Sequence, residues 1–230
     1  MALHHNPRIV TSGLTFLMDP ADTNSYPGTG TTVKNIAGTV IDGTLTGATF
    51  VDSYQGIFDL DGTDDIIGYG SSAASLVQGL PAVTMGLFFK LDATASLRGL
   101  IGTLNYGCTE NLGLVASGTS LQFYNDTTTC YSVGQSIVST GKWIYAVGTY
   151  DGNTTKIYGI TEGTLSTSSG TSKTGNTNTF GSEFRVMAPY HSYRTNGQGS
   201  LAFVYNRALS EAEVLQNYNV HCTRLGLNHV

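Results

Sequence analysis

Short apolar or alternating runs, each ended by a turn sequence, recur along the whole chain. The clearest case is KWIYAVGTYDGNTTKIYGIT, where two strand-like runs flank Asp151-Gly152-Asn153, a sequence typical of a tight turn. AVTMGLFFKLD is almost continuously apolar, which predicts a central strand that is buried on both faces. Many such units with regular turns predict an all-β fold, an antiparallel two-sheet jelly-roll sandwich.

The composition agrees with this prediction. Hydrophobic residues make up 40% of the 230 residues, which is enough for a core, whereas charged residues make up only 12%. The 29 glycines favour turns over helices. Residues 1–12 form a polar arm around Pro7, and no linker or internal repeat divides residues 13–230. We therefore expect an N-terminal arm followed by one domain.

One short helix is predicted near the C-terminus, in VYNRALSEAEVLQNYN. Ser210 and Glu213 have the spacing of a capping box, in which each side chain satisfies a backbone N–H group at the helix start. Val214, Leu215 and Tyr218 can form an apolar stripe against the sandwich. The pattern specifies a helix and by itself indicates no activity.

The charge of the chain argues against nucleic acid as a partner. The net charge is −5, and the 11 basic residues are scattered, whereas binding to phosphate backbones requires clustered Lys and Arg. No apolar run has the length of a membrane span. MALHHNPRIV lacks the hydrophobic core of an export signal, so we expect synthesis in a host cytoplasm.

Several segments together carry a family resemblance. They are GLTFLMD, NSYPGTGTTVKNIAG, GTLTGATF, FDLDGTDDI, YAVGTYDGNTTKIY and YNRALSEAEVLQNYN. In combination they resemble the concanavalin A-like lectin/glucanase (laminin-G-like) superfamily, in the version common in bacteriophage and marine-virus structural proteins. The resemblance implies a jelly roll used for glycan binding or as a capsid, tail or fibre ornament. Such a fold hosts unrelated functions and does not settle which one applies.

The sequence argues against catalysis. A retaining glycosidase needs two carboxylates about 5 Å apart, and the Glu-x-Asp-x-x-Glu string of the glucanase branch does not occur in this chain. Alternation places Ile57, Asp59 and Asp61 on one strand face, opposite Phe58 and Leu60. The Asp-Gly turn already explains Asp61. We therefore expect no enzyme activity, and a glycoside hydrolase using Asp59 and Asp61 is the least favoured reading.

Two groups of oxygen ligands could hold Ca²⁺, although turn formation also explains the first of them. The groups are Asp61, Asp64 and Asp65, or Glu110, Asn111 and Asp126.

Three cysteines do not form a disulfide framework. Cys108 and Cys130 could pair and leave Cys222 free, or all three could be reduced.

Two loops have the residue types that recognise sugars, because aromatic faces stack on sugar rings and planar polar groups bond hydroxyls. The candidate residues are Tyr106, Glu110, Asn111, Tyr190, His191, Tyr193, Arg194 and Asn196. Tyr and Arg are equally typical of protein contacts, so a subunit or partner interface is the alternative.

The leading hypothesis is a non-enzymatic virion surface protein, a capsid decoration or a head or tail fibre component. Its partners would be capsid or tail proteins and host-surface or environmental glycans. Within the arm, Arg8 and Ile9 are the predicted anchoring residues, and a homo-oligomer, such as a trimer, is expected. The alternative is a soluble carbohydrate-binding lectin module.

Overall fold

The computed structural model describes residues 8–94, 97–104, 111–125, 131–171, 174–179, 183–188 and 194–230. Within these residues the chain forms sixteen strands and one α-helix. In chain order they are β1 Leu14–Met18, β2 Thr32–Lys34, β3 Asp42–Thr46, β4 Thr49–Val51, β5 Ile57–Asp61, β6 Ile66–Gly68, β7 Val83–Leu91, β8 Arg98–Thr103, β9 Leu112–Ser117, β10 Ser120–Asn125, β11 Ser132–Ser136, β12 Trp143–Tyr150, β13 Thr154–Thr161, β14 Thr164–Thr171, β15 Arg185–Val186, β16 Asn196–Tyr205 and α1 Glu211–His221.

The strands form two antiparallel sheets that pack face to face. Sheet A has the order β14-β13-β12-β7-β16-β5-β4, and β1 also pairs with β16. Sheet B has the order β11-β10-β9-β8-β15-β6-β3-β2. The predicted all-β jelly-roll sandwich with one short C-terminal helix is therefore confirmed.

Strand β7 is central, as its apolar sequence predicts. Met85, Leu87 and Phe89 point into the core between the sheets, whereas Phe88 lies in a second apolar cluster on the outer face of sheet A. A strand that is covered on both faces needs apolar residues at consecutive positions rather than at alternate ones. Lys90 interrupts this pattern and is half-buried.

Helix α1 closes the second cluster. Glu213 N donates to Ser210 Oγ at 3.4 Å, and Ser210 N donates to Glu213 Oε2 at 2.9 Å, which confirms the predicted capping box. Val214 and Tyr218 are fully buried and Leu215 is half-buried, as the predicted stripe requires. The helix lies over aromatic side chains of sheet A, namely Phe88, Tyr145, Phe203 and Tyr205.

Residues 8–12 of the predicted arm dock on the outer face of sheet A. Val10 is buried, its N–H donates to Asn217 Oδ1 at 2.8 Å, and its carbonyl accepts from Tyr205 Oη at 2.7 Å. Ile9 is half-buried against the same cluster, and the carbonyl of exposed Arg8 accepts from the side chain of Gln216. The anchoring role of Arg8 and Ile9 stays a prediction. Residues 1–7 lie outside the described part of the chain.

Two further expectations can be compared with the structure. Cys222 is buried and makes no disulfide, whereas Cys108 and Cys130 lie outside the described residues. Within the described ranges, no helix has the length and apolar character needed to cross a bilayer.

Candidate functional site

The described residues Asn111 and Arg194 of the two predicted sugar-binding loops lie at opposite ends of strand β8. Asn111 comes just before β9, beside the end of β8 at Thr103. Arg194 precedes Thr195, whose Oγ1 donates to the carbonyl of Gly99 near the start of β8 at 2.7 Å. Four extended residues separate these ends by about 13 Å, so the structure does not bring Asn111 and Arg194 together. Outside the described residues lie Tyr106, Glu110, Tyr190, His191 and Tyr193.

Asn196, by contrast, belongs to a polar group on the outer face of sheet A. It pairs in register with Asp61, and two residues further along the same strands Gln198 pairs with Asp59. Phe58 and Leu60 point into the inter-sheet core, which confirms the predicted alternation along β5. The cross-strand order continues from Gln198 through β7 to β12. We call this set the polar row: Asp59, Gln198, Lys90 and Trp143.

A strained turn packs against the Lys90 and Trp143 end of the polar row. Tyr54 and Gln55 have φ values of 55° and 66°, although neither is glycine. Side chains in this left-handed region cost about 1–2 kcal/mol each, and such strain is concentrated at functional sites. Gly56 follows with φ 127°, where a Cβ atom would lie 2.6 Å from the carbonyl oxygen of Pro20. The chain therefore spends free energy to hold Tyr54 in this position.

Three side chains meet beneath and beside this turn. The Tyr54 ring stands edge-on to the Trp143 ring, with 5.7 Å between centroids and 84° between planes. Lys90 Nζ lies 5.9 Å from the Tyr54 centroid and 5.5 Å from the Trp143 centroid, within cation–π range of both. Tyr54 is 39% exposed, whereas Trp143 is 5% exposed. An accessible aromatic surface is thus fixed on a buried support.

Within the described part of the chain, two buried polar atoms of the polar row have no hydrogen-bond partner. They are Trp143 Nε1, a donor, and Gln198 Oε1, an acceptor. Buried polar atoms are nearly always hydrogen-bonded, and an unpaired one costs about 1–3 kcal/mol. Gln198 and Trp143 lie on the two strands that flank β7, on either side of Lys90.

A cleft of ≈590 Å³ opens on the other side of the turn, between Gln55 and the C-terminal segment. On its wall, Arg224 Nη1 donates to both carboxylate oxygens of Asp19, at 2.8 and 3.0 Å, and Nη2 donates to Ser200 Oγ at 2.7 Å. Burial, and after it the nearby Arg224 charge, lower the pKa of His221 to about 4, although the Asp19 carboxylate acts in the opposite direction. At neutral pH His221 is therefore uncharged.

The first predicted calcium group does come together. The ligand oxygens of Asp61, Asp64 and Asp65 lie within 4.8 Å of one another. Calcium–oxygen bonds of 2.3–2.6 Å allow two ligands of one ion to be about 5 Å apart, so the donor set fits a cation. Burial raises the pKa of Asp65, and the nearby carboxylates of Asp61 and Asp64 add to the shift. In the second predicted group, Glu110 and Asp126 lie outside the described residues.

Turn formation also uses these carboxylates, as the sequence suggests. Asp61 Oδ1 accepts from Thr63 N at 2.7 Å, and Asp65 Oδ2 accepts from Asp61 N at 2.7 Å. Asp59 and Asp61 share a strand face, with about 6.6 Å between their Cα atoms. One of the two carboxylates of the suggested catalytic pair is therefore already engaged in closing the turn.

Comparison with known proteins identifies the family. Residues 61–215, more than half of the chain, match the family model of the concanavalin A-like lectin/glucanases superfamily. The chain belongs to this superfamily. No curated protein sequence matches it.

Among solved structures, similar folds occur in glycan-processing proteins. Trypanosoma rangeli sialidase is 15% identical with a TM-score of 0.65, and the match covers 92% of this chain and 33% of the sialidase. Domain 4 of AbnA, a GH43 extracellular arabinanase from Geobacillus stearothermophilus solved with arabinotriose, is 16% identical with a TM-score of 0.58. That match covers 92% of this chain and 100% of the domain. The chain thus spans about one third of the sialidases, and at these identities the likeness shows the fold alone.

The sequence predictions missed Tyr54, Lys90 and Trp143. One signal was present, because Lys90 is the only charged residue within the apolar run AVTMGLFFKL. A charge on a strand that is buried on both faces requires a partner, which here is the pair of aromatic rings. A second signal was Trp143, the only tryptophan of the chain.

Proposed function

We propose that this chain is a non-enzymatic carbohydrate-binding module whose contact surface is Tyr54 and the polar row. One observation carries the proposal: an exposed aromatic ring is held over polar side chains by a strained backbone. Aromatic faces bind the apolar face of sugar rings, and a few polar groups beside them fix the orientation. A ring already held in place loses little conformational entropy on binding.

The polar row supplies complementary hydrogen-bonding groups. Asp59 accepts, Lys90 donates and Gln198 can do both. Neighbouring strands are about 4.8 Å apart, so these groups form a line of about 10 Å across three strands. Successive hydroxyls of one sugar ring, or of two linked rings, can therefore meet different members of the row.

The geometry supports binding rather than hydrolysis. A glycosidase requires two carboxylates that flank the bond to be cleaved, whereas the polar row has Asp59 alone and Asp61 closes a turn. Domain 4 of the arabinanase, which has a similar fold at 16% sequence identity, was solved with arabinotriose. It supports by analogy the use of this architecture for holding a sugar chain.

The resemblance to bacteriophage structural proteins supports a virion surface as the setting, with capsid or tail proteins as neighbours and host-surface glycans as ligands. Arg8 is exposed and Ile9 is half-buried, and these two residues of the arm are the ones proposed to attach the chain to a shell. Mass spectrometry and imaging of purified particles test this setting. Absence of the chain from particles would leave a soluble lectin module.

A glycan array with the wild-type chain, Tyr54→Ala and Tyr54→Phe tests the proposed function. We expect glycan binding that falls at least about tenfold in Tyr54→Ala, equivalent to 1.4 kcal/mol, and is retained in Tyr54→Phe. Val40→Ala is the matched control, because Val40 is a 77% exposed apolar residue in another loop. Equal binding by wild type and Tyr54→Ala, or no binding to any glycan, would overturn the proposal.

A reducing-sugar release assay tests the non-enzymatic part. We expect no release by the wild-type chain from glycans that it binds. Release that disappears in Asp59→Asn or Asp61→Asn would show that the chain is a hydrolase.

A calcium ion at Asp61, Asp64 and Asp65 is part of the proposal as a structural element beside the polar row. We expect Ca²⁺ to raise the melting temperature of the wild-type chain, because three carboxylates would no longer repel one another. Asp64→Asn should lose most of the shift. A melting temperature that is the same in Ca²⁺ and in EDTA would exclude the ion.

A further inference from the structure

The strands at the sheet edges differ in length. Sheet A ends at β4 and β14, with β1 as a further edge strand that pairs only with β16, and sheet B ends at β2 and β11. Strands β2 and β4 have three residues each and β1 and β11 have five each, whereas β14 has eight. Every residue of β14 pairs with β13, which occupies only one of its two sides. Among the described strands, β14 therefore presents the longest open edge.

Strand β14 also lacks the features that normally protect an edge. Its sequence, TLSTSSGT, contains no charge and no proline, and its register against β13 runs without a bulge from Thr164 to Thr171. Natural edge strands are usually short, charged, bulged or covered, because an open edge pairs with other strands. The residues of β14 are exposed or half-buried, and β11 of sheet B packs against β14 across the sandwich, but within the described part of the chain β14 has no strand partner other than β13.

The hairpin turn determines which backbone groups face outward. Glu162 and Gly163 both have positive φ, 51° and 77°, as in the two-residue turn that closes hairpins. The residues that flank such a turn, Thr161 and Thr164, form a hydrogen-bonded pair, and bonding then alternates along the strand. The unpaired N–H and C=O groups consequently belong to alternate residues: Leu165, Thr167, Ser169 and Thr171.

We propose that β14 is the interface between two copies of this chain, paired antiparallel about a two-fold axis. Two-fold symmetry brings each patch against its own copy, so a charged edge would repel itself, whereas an uncharged Ser/Thr strand does not. The neighbourhood is also balanced in charge, since Lys156 and Glu211 line a common hollow of ≈300 Å³ beside β14. Pairing would satisfy the outward backbone groups and join the two A sheets into one.

The pairing would also increase the avidity of the proposed glycan sites, because a dimer carries two copies of Tyr54 in fixed relation. The interface itself does not depend on glycan binding. Failure of the dimer would leave the Tyr54 test unaffected, and failure of glycan binding would leave the dimer test unaffected.

Sedimentation equilibrium of the full chain, without glycan, tests the interface. We expect a dimer whose dissociation constant rises at least about tenfold in Ser169→Lys, which places a charge on the edge, and in Thr167→Pro. Thr167→Pro removes an outward N–H group and leaves the bonds to β13 intact, which is the one place where proline suits an edge strand. Thr44→Lys, on an exposed position of β3, is the control and should remain dimeric.

Circular dichroism and melting temperatures should show that both edge variants are folded. A wild-type chain that is monomeric at every concentration would overturn the proposal. So would a dimer or trimer that persists with unchanged affinity in both Ser169→Lys and Thr167→Pro.

Discussion

The outer face of sheet A has two ends that use the same strands for opposite purposes. Strand β7 contributes Phe88 to one end and Lys90 to the other, and β12 likewise contributes Tyr145 and Trp143. At the covered end, Phe88 and Tyr145 are completely buried under α1, whereas at the other end the turn with Tyr54 contacts Trp143 and Lys90. A step of two residues, about 6.6 Å, separates the side chains under α1 from the buried Trp143 and half-buried Lys90 that support the exposed Tyr54 ring.

The covered end behaves as a second hydrophobic core. Tyr218 from α1 lies 5.9 Å from Phe88 and 5.6 Å from Tyr145 between ring centroids, and its hydroxyl donates to the carbonyl of Asn228 at 2.8 Å. Aromatic pairs at these separations add stability beyond the area that they bury. At the uncovered end Trp143 is buried, but Tyr54 is 39% exposed, so the loss of the Tyr54 ring should affect binding more than folding.

The largest expected effect tests this contrast directly. Tyr218→Ala should lower the free energy of unfolding by about 3–5 kcal/mol, because it leaves a cavity in a closed aromatic cluster. Tyr54→Ala should cost less than about 1 kcal/mol, since its ring is already partly hydrated and its backbone is strained. Urea unfolding measures both, and equal costs would show that the two ends do not differ in role.

The second-largest expected effect is a loss of folding stability at acidic pH, caused by protonation of His221. His221 has a folded-state pKa of about 4, below its usual 6.5, so the unfolded chain binds a proton first as the pH falls. The contribution of uncharged His221 to the free energy of unfolding is therefore fully present above pH 6.5 and is lost as the pH falls toward 4. The loss is about 2 kcal/mol at pH 5. The charged groups that face His221 are Arg224 and Asp19.

Urea unfolding at pH 7 and pH 5 measures the effect, and His221→Gln should reduce the difference to the background of the other groups. Glu213 provides an internal contrast. The Arg207 side chain and the Ser210 cap lower its pKa to about 2, so its contribution is lost only below pH 4.5. A wild-type chain that is equally stable at pH 7 and pH 5 would contradict the placement of His221.

The helix that closes the covered end gives a smaller effect. Ser210→Ala removes the side chain that accepts from Glu213 N and should cost about 1 kcal/mol. Ser72→Ala, at an exposed serine of the 3₁₀ helix Ser71–Leu76, is the matched control and should change stability little. If both substitutions cost the same, the capping box contributes nothing measurable.

The same division between ends explains what the sequence could predict. Strand β7, the hairpin at Asp151 and the capping box at Ser210 depend on residues that are close in the chain, and all three were predicted correctly. The contact of Tyr54 with Trp143 joins positions 89 residues apart, and the placement of Lys90 beside Trp143 depends on the register of β7 against β12. Turn sequences and periodicity carry no information about that register.

The concentration of aromatic and polar residues in a loop was likewise a weak guide to the position of the site. Asn111 and Arg194 have suitable chemistry, but β8 holds them at opposite ends of the sheet. The polar sequence of residues 1–12 did not predict that Val10 docks on the domain, because its partners Asn217 and Tyr205 lie about 200 residues away in the chain. Only the assembled sandwich shows which polar residues share a surface.

The smallest expected effect concerns the turn at the uncovered end. Gln55→Gly relieves a left-handed backbone, worth about 1–2 kcal/mol, but makes the unfolded chain more flexible, which offsets about 0.4–1 kcal/mol. We therefore expect a net gain in stability of at most about 1 kcal/mol in urea unfolding. Ser53→Gly is the control, since Ser53 lacks a positive φ and the variant should lose stability.

Glycan affinity should change in the opposite direction in Gln55→Gly, because a relaxed turn no longer holds the Tyr54 ring in one orientation. Parallel measurements of unfolding and binding on this variant therefore sharpen the difference between the two ends. A variant that is less stable than wild type, or one that binds glycan better, would show that the strained turn serves folding rather than recognition. A gain in stability with a loss of affinity would place the strain on the side of function.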